Sequence, residues 1–256
     1  MRRACLGGFP AVIHASDDEA RQAWCDEYLS LMLQKDIQRL AQIENVVHMP
    51  QLIQILAART GTLVNYSSFA SECTLSTTTL KRYMGLLQSL FLVHTLPAWS
   101  LNIGKRFVKS PKVYFVDTAL LLAALRFDKE RLFESPLVLG KVVGNFVVNE
   151  IMKQVTWASK QVRVFHCRFQ DNRSEVDLIL EDGRGKVVAI EIKASETVGT
   201  EDFRHFGAME EAMGNRFHRG IILYAGSHKL PFGERRWALP ISSLCMLHSP
   251  QDFCSC

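Results

Sequence analysis

Residues 175–195, EVDLILEDGRGKVVAIEIKAS, place acidic side chains and a lysine where a plain β-hairpin would have Val or Thr. The pattern predicts two strands joined by a tight turn near Gly183. Successive side chains on a strand point to opposite faces, so Glu191 and Lys193 share one face of the second strand. If the register places Asp177 beside Glu191, that face has two carboxylates and one ammonium group close together.

Two neighbouring carboxylates repel each other, and a divalent cation bound between them would remove that repulsion. Magnesium prefers oxygen ligands and keeps some of its waters, so Mg²⁺ or Mn²⁺ is the expected cofactor, with Asp177 and Glu191 as its ligands. Lys193 could then orient an attacking water or stabilise charge on a phosphate. The alternative is an ordinary Glu–Lys pair on a strand, which stabilises little.

Two further carboxylates are candidates for supporting this site from behind the metal ligands. Glu175 shares the face of Asp177 on the first strand, and Glu150 belongs to the predicted helix GKVVGNFVVNEIMKQV that precedes the hairpin. A strand, QVRVFHCRF, follows that helix, and after the hairpin come a helix near DFRHFGAMEEAM and a buried strand, RGIILYAG. This order predicts a mixed α/β domain over residues 131–256.

The segment YSSFASECTLSTTTLKRYMGLLQSLFLV, within residues 49–130, predicts a helix-turn-helix in which Ser76 caps the second helix. Two β-like runs follow, so a winged helix-like domain is expected. The connection between them has four basic residues, and no acid occurs between Leu101 and Val116. These candidate nucleic-acid contacts are Lys105, Arg106, Lys109 and Lys112. Phosphate contact, a solvated loop and a surface for another protein domain all stay open.

The amino-acid composition limits the class of protein and the compartment in which it is expected. A hydrophobic fraction of 48% describes a globular protein, and no apolar run reaches the roughly 18 residues of a membrane helix. The start MRRACLGGFP only faintly imitates a signal peptide, and the seven cysteines include no CxxC pair, so a cytoplasmic protein with reduced thiols is expected. The net charge of +4 is mild and selects no partner. The first region, residues 1–48, is predicted to be helical.

Asp177, separated by thirteen residues from Glu191-Ile-Lys193, resembles the PD-(D/E)XK nuclease signature. Longer stretches, including GKRFVKSPKVYFVDTALL and VAIEIKAS, resemble a bacterial and archaeal family of predicted AAA-type ATPases. In that family a helix-turn-helix and a nuclease-like domain of unknown function follow the ATPase. The resemblance implies a PD-(D/E)XK nuclease-like domain at residues 131–256, with metal-dependent DNA cleavage or DNA binding, and residues 1–48 as the end of a lost or removed ATPase region.

The chain departs from that family in two ways. No GxxxxGK[ST] motif occurs, so no ATP site is expected. The nuclease-like helix of the family has Gly-x-x-x-Glu-Asn-Phe-Val, whereas this chain has Gly144 at the glutamate position. Glu150 lies six residues further on and cannot simply replace it. A catalytically inactive module for nucleic-acid or protein interaction is therefore the alternative function, and the sequence leaves the oligomeric state open.

Overall fold

The computed structural model of the chain describes residues 2–33, 48–100, 106, 109–168 and 175–245. The chain divides into two compact units, Met1–Asn149 and Glu150–Cys256. The predicted boundaries at residues 48 and 130 therefore do not coincide with the division between these units. Lys105 lies outside the described residues.

The first unit is mainly helical, and most of its helices begin at a side chain that accepts backbone N–H groups. Asp17, Asn65, Ser76, Asp117 and Asp128 are these N-caps. Within the described residues, the helices are α1 Arg2–Leu6, α2 Pro10–Ile13, α3 Asp18–Leu31, α4 Met49–Ala58, α5 Tyr66–Glu72, α6 Thr77–Ser89, α7 Thr118–Leu125, α8 Lys129–Glu134 and α9 Pro136–Trp157. Helix α9 contains the boundary between the two units.

Helices α5 and α6 are separated by a short turn over residues 73–76, as the sequence predicts. Two antiparallel strands follow, β1 Val93–Leu96 and β2 Lys112–Phe115. A single bridge pairs Leu63 with Lys112 on the other side of β2. The buried faces of α4 and α6 pack into one core with residues of α3 and α7, which groups the N-terminal helices with the helix-turn-helix region.

The first glycine of the GGFP stretch is required by a close approach to the start of helix α7. Gly7 has a φ of +69°, and a Cβ there would lie 2.3 Å from Oδ1 of Asp117. The next amide, Gly8 N, donates to Asp117 Oδ2 at 2.6 Å, while Oδ1 caps α7 by accepting from Ala119 N at 2.8 Å. One buried carboxylate therefore fixes both the N-terminal loop and the start of α7.

A buried amide side chain fastens α9 to the end of β2. Asn145 Oδ1 accepts from Phe115 N at 2.9 Å and from Thr60 Oγ1 at 2.8 Å, while its Nδ2 donates to Phe115 O at 2.9 Å. Asn149, one turn later, donates to the same carbonyl and makes a 2.8 Å hydrogen bond with His94 Nε2. Because buried polar groups must be paired, these bonds fix the rotation of α9 about its axis.

The second unit is built on a six-stranded mixed sheet in the order β3-β4-β5-β6-β8-β7. Its strands are β3 Val162–Arg168, β4 Glu175–Asp182, β5 Val187–Lys193, β6 Phe217–Tyr224, β7 Leu230–Pro231 and β8 Arg236–Pro240. Strands β3, β4 and β5 form an antiparallel meander, and β5, β6 and β8 are parallel. A 3₁₀ turn, Thr200–Phe203, and helix α10 Arg204–Met213 connect β5 to β6.

Helix α10 packs directly on β6 at Gly220, which has no side chain to hold the two elements apart. A Cβ on Gly220 would lie 2.5 Å from Cδ2 of Phe206, so the glycine leaves room for the ring against the strand. The predicted mixed α/β class is confirmed, although β7 and β8 were not predicted. Among the described residues, no helix combines the length and hydropathy that a membrane crossing requires.

Candidate active site

The two predicted ligands lie one position beyond the paired residues of β4 and β5, Asp177 before Leu178 and Glu191 after Ile190. Extending this antiparallel register by one position places Asp177 opposite Glu191. There the Asp177 carboxylate takes part in the strand pairing itself, since its Oδ2 accepts from Ile192 N at 2.9 Å. A side chain held by a backbone amide of the neighbouring strand has little freedom to rotate away from Glu191.

The middle of β5 is covered on both faces, and this differs from the simple alternation expected from sequence. Ala189 is fully buried although it shares a face with Glu191 and Lys193. The last three residues of the strand are half-buried, so the polar side chains emerge only where the strand ends. The carboxyl ends of parallel strands are the usual place for binding sites in open α/β sheets.

Lys193 forms an ion pair with a residue that the sequence reasoning missed. Its Nζ lies 2.6 Å from Asp202 Oδ1, and Asp202 Oδ2 accepts from Gly199 N at 2.9 Å. Burial raises the pKa of Asp202, but the hydrogen bonds from Lys193 and Gly199 outweigh it and hold this pKa below its ordinary value. A capping aspartate at the start of the predicted helix near Phe203 was the available clue.

The two supporting carboxylates have different surroundings. Glu175 begins β4, is half-buried and lies opposite Arg168 of β3. Glu150 on α9 pairs with Lys153 at 2.6 Å. Across the described residues, no group of three or more His, Cys, Asp or Glu side chains is close enough to hold a metal ion. The register of β4 and β5 thus extends to set Asp177 and Glu191 on neighbouring strands, and no third acidic ligand joins them among the residues that the structure describes.

Gly144, which stands where the ATPase family that the sequence resembles has a glutamate, has room for a side chain. A Cβ on Gly144 would meet no atom within 4 Å outside its own helix turn, so packing does not require this glycine. Gly144 belongs to the first unit and the carboxylate pair to the second. That a glutamate here would complete the site therefore stays a prediction.

The predicted basic contact segment is corrected at two positions. Lys112 is 2% exposed, because it lies in β2 between Leu96 of β1 and the bridge to Leu63. Arg106 is also buried: its Nε donates to Ser100 O at 2.7 Å and its guanidinium lies 5.5 Å from the Trp99 ring. Neither residue presents its charge on the surface, whereas Lys109 is exposed.

Comparison with known protein families gives a match in each part of the chain. Residues 139–244 match the domain of unknown function DUF4143, which commonly accompanies AAA-type ATPases. Similar curated proteins include uncharacterized proteins of Mycobacterium bovis and Mycobacterium tuberculosis, each 28% identical over 239 residues, or 93% of this chain and 52% of the relative. The chain thus spans about half the length of the curated relatives it matches. Residues 1–131 match the domain of unknown function DUF8612, and since this match covers more than half of the 256 residues, the chain belongs to the DUF8612 family.

Proposed function

We propose that the second unit is a PD-(D/E)XK nuclease-like domain that hydrolyses phosphodiester bonds of DNA with a divalent metal. The observation that carries this proposal is the β4–β5 register, which extends by one position to set Asp177 opposite Glu191 at the end of β5, with Lys193 two residues further on the same face as Glu191. The order α9-β3-β4-β5-α10-β6 supports it, because it leads both carboxylates to one end of a mixed sheet, where parallel β5 and β6 finish.

The donor set fits Mg²⁺ or Mn²⁺. Magnesium is usually held by one or two carboxylates, with waters and substrate oxygens completing its octahedron, and Asp177 and Glu191 supply that number. When bound, the metal would neutralise charge on the reacting phosphate and lower the pKa of a coordinated water. The Ile192 amide keeps the Asp177 carboxylate in the ligand position, and the half-buried surroundings strengthen its attraction for a cation.

Lys193 is the residue proposed to contact substrate. Its side chain is 31% exposed, and its ammonium group can hydrogen-bond a phosphate oxygen or the attacking water. Asp202 holds Lys193 by an ion pair, which limits the movement of the long side chain. The same ion pair partly neutralises the positive charge that Lys193 could offer to a phosphate. Glu175 and Glu150 remain proposed supporting residues, Glu175 because it begins the strand of Asp177 and Glu150 because it lies on the helix that leads to the sheet.

The experiment is a cleavage panel with Mn²⁺ and Mg²⁺ on single-stranded, duplex and branched DNA and on RNA. Asp177→Asn and Glu191→Gln should each abolish cleavage and metal binding by calorimetry, with unchanged thermal unfolding in the absence of metal. Glu211→Gln removes one exposed acid of α10 and serves as the matched control. Metal binding by both site variants at the affinity of the parent protein would refute the assignment.

A second candidate is a catalytically inactive nuclease-like module for nucleic-acid or protein interaction. Two observations favour it: Gly144 replaces the family glutamate, and the charge of Lys193 is already matched by Asp202. In this case the parent protein binds neither Mg²⁺ nor Mn²⁺ while remaining folded.

We also propose that α5, α6, β1 and β2 form a winged helix-like domain, with the bridge at Leu63 as its short third strand. Lys109 is the described residue of the basic connection that could contact phosphate, and another protein domain is the alternative partner. Lys109→Ala should weaken DNA binding for all sequences alike and lower the salt slope by about one unit. An unchanged slope would assign the segment to protein contact or solvation.

A further inference from the structure

A row of basic side chains lies at the end of the second sheet opposite the carboxylates. Strands β3, β5, β6 and β8 all begin at this end, and β4 finishes there, since Val162 pairs with Asp182. We name these residues the basic edge. They are Lys160, Arg163, Arg184, Lys186, Arg216, Arg219, Arg235 and Arg236. Seven of them are exposed and Arg236 is half-buried.

Most acidic side chains near the basic edge already form hydrogen bonds or ion pairs within the protein. Asp182 Oδ1 accepts from Arg184 N at 2.9 Å and from Lys186 N at 2.8 Å, and these backbone bonds, that of Lys186 first, lower the pKa of Asp182. Glu210 pairs with Arg235 and Arg236, and Glu181 is buried beside Arg163. With Glu211 and Glu234, the described part of the chain has five acidic residues near the eight basic ones, so this end of the sheet has a net positive charge.

Three exposed arginines of the basic edge have no acid within ion-pair distance among the described residues, although the charge of Arg184 contributes to lowering the pKa of Asp182. In the part of the chain that the structure describes, Arg184, Arg216 and Arg219 make no ion pair. A β-bulge exposes two of the neighbouring residues together: Val187 pairs with Phe217 and Val188 with Arg219, so His218 is the extra residue. Phe217 remains buried, while His218 and Arg219 both face solvent.

The spacing of the basic edge fits an extended polyanion. Neighbouring strands lie about 4.8 Å apart, so the row from β3 to β8 crosses four strand spacings, or roughly 19 Å. A duplex has one phosphate charge per about 1.7 Å of its axis, so a row of this length spans about eleven charges on the two strands together. Arginine predominates, and its planar guanidinium donates to phosphate oxygens in pairs.

We propose that the basic edge binds the phosphate backbone of a nucleic-acid duplex, without base specificity. This surface is separate from the carboxylate end, because seven residues of β5 extend about 20 Å from Val187 to Lys193. The proposal does not rest on nuclease activity. Its ligand touches neither Asp177 nor Glu191, and no metal is needed.

The experiment measures fluorescence anisotropy of a labelled 30-base-pair duplex with the full chain, in EDTA, over a series of salt concentrations. EDTA removes any contribution of the carboxylate pair. The triple variant Arg184→Ala, Arg216→Ala, Arg219→Ala should bind on the order of a hundredfold more weakly at about 0.1 M salt. Its slope of log affinity against log salt should be shallower by about 2.7, that is about 0.9 for each arginine that neutralises a phosphate in the parent complex.

The matched control is Lys129→Ala, Arg131→Ala, Lys229→Ala, which removes the same charge from three exposed positions outside the basic edge. It should keep the slope of the parent protein, and circular dichroism should show both triple variants folded. Three results would overturn the proposal: no duplex binding by the parent, equal losses in both triple variants, or competition by poly-glutamate as strong as by unlabelled duplex. The last result would identify an acidic protein segment as the partner.

Discussion

The charged side chains at the two ends of the second sheet differ in how far neighbouring groups hold them. At the carboxylate end, charged side chains are fixed by neighbouring groups: Asp177 by the Ile192 amide and Lys193 by Asp202. At the basic edge, Arg184, Arg216 and Arg219 extend into solvent. A fixed constellation suits chemistry at one atom, whereas solvent-exposed cations suit attraction over a long surface. The difference indicates that one end is organised for a small ligand and the other for a large one.

The largest expected effect comes from altering both ends in one molecule. Glu191→Gln should remove metal binding and leave duplex affinity in EDTA unchanged, while the arginine triple variant should do the reverse. Because the ends lie about 20 Å apart, the combined variant should show both losses independently, to within about 0.5 kcal/mol. Calorimetry and anisotropy on the four proteins measure this. A duplex affinity that falls with Glu191→Gln alone would show that the two ends share one ligand.

Gly220→Ala should destabilise the sheet near the basic edge by about 1–3 kcal/mol, since its new Cβ would push the Phe206 ring off β6. Urea unfolding measures this destabilisation. Gly214→Ala is unsuitable as a control because of its positive φ, whereas Gly183→Ala, where a Cβ meets nothing within 4 Å, is a suitable one. Equal stability of both variants would mean that α10 is not held against β6 at this point.

Acid should distinguish the two ends, because arginine keeps its charge and Asp202 does not. The pKa of Asp202 is lowered in the folded chain, so its stabilising contribution is present above its ordinary pKa and is lost as pH falls through the folded value. Asp202→Asn should therefore cost about 0.5–1 kcal/mol at neutral pH and progressively less below pH 3.8. Thermal unfolding of both proteins from about pH 7 to about pH 2.5 tests this, and a constant difference would contradict it.

The smallest expected effect concerns Gly144. Replacing a helical glycine in open space with glutamate should stabilise α9 by about 0.5 kcal/mol. If the family position faces the carboxylate pair, Gly144→Glu should also tighten Mg²⁺ binding, and this gain should vanish with Glu191→Gln. Gly144→Gln, which has the same shape without the charge, is the control. Equal Mg²⁺ affinity of the two variants would remove Gly144 from the site.

Local chemistry explains which parts of the structure could be predicted from the sequence. Ser76 has a hydroxyl followed by an apolar helix pattern, and the structure begins α6 directly after it. The turn with Gly183 and Gly185 sets the pairing of β4 with β5, and extending that register by one position places Asp177 opposite Glu191. That the two carboxylates share a metal stays a prediction. These features depend on residues that are neighbours in sequence or are joined by a short turn.

The features that escaped prediction depend on distant parts of the chain. Lys112 looks like a loop cation until β1 and Leu63 enclose it. Asp202 meets Lys193 only because the 3₁₀ turn folds back beside β5. The basic edge combines residues from four separate segments through the order of the strands, so no local run of charge indicates it. Strand β8 is short and ends at Pro240, which weakens its pattern.

The bond between Ile192 and Asp177 provides an intrinsic reporter of the carboxylate end. The amide proton of Ile192 is held by a side-chain oxygen, with 2.9 Å between the nitrogen and Oδ2. Its hydrogen-exchange rate and its nitrogen chemical shift therefore depend on the charge of one carboxylate, unlike those of the ladder amides around it. A cation that draws electron density from Asp177 would weaken this bond without unfolding the strand. One resonance in an isotope-labelled sample would then follow occupancy of the site directly, without substrate and without turnover.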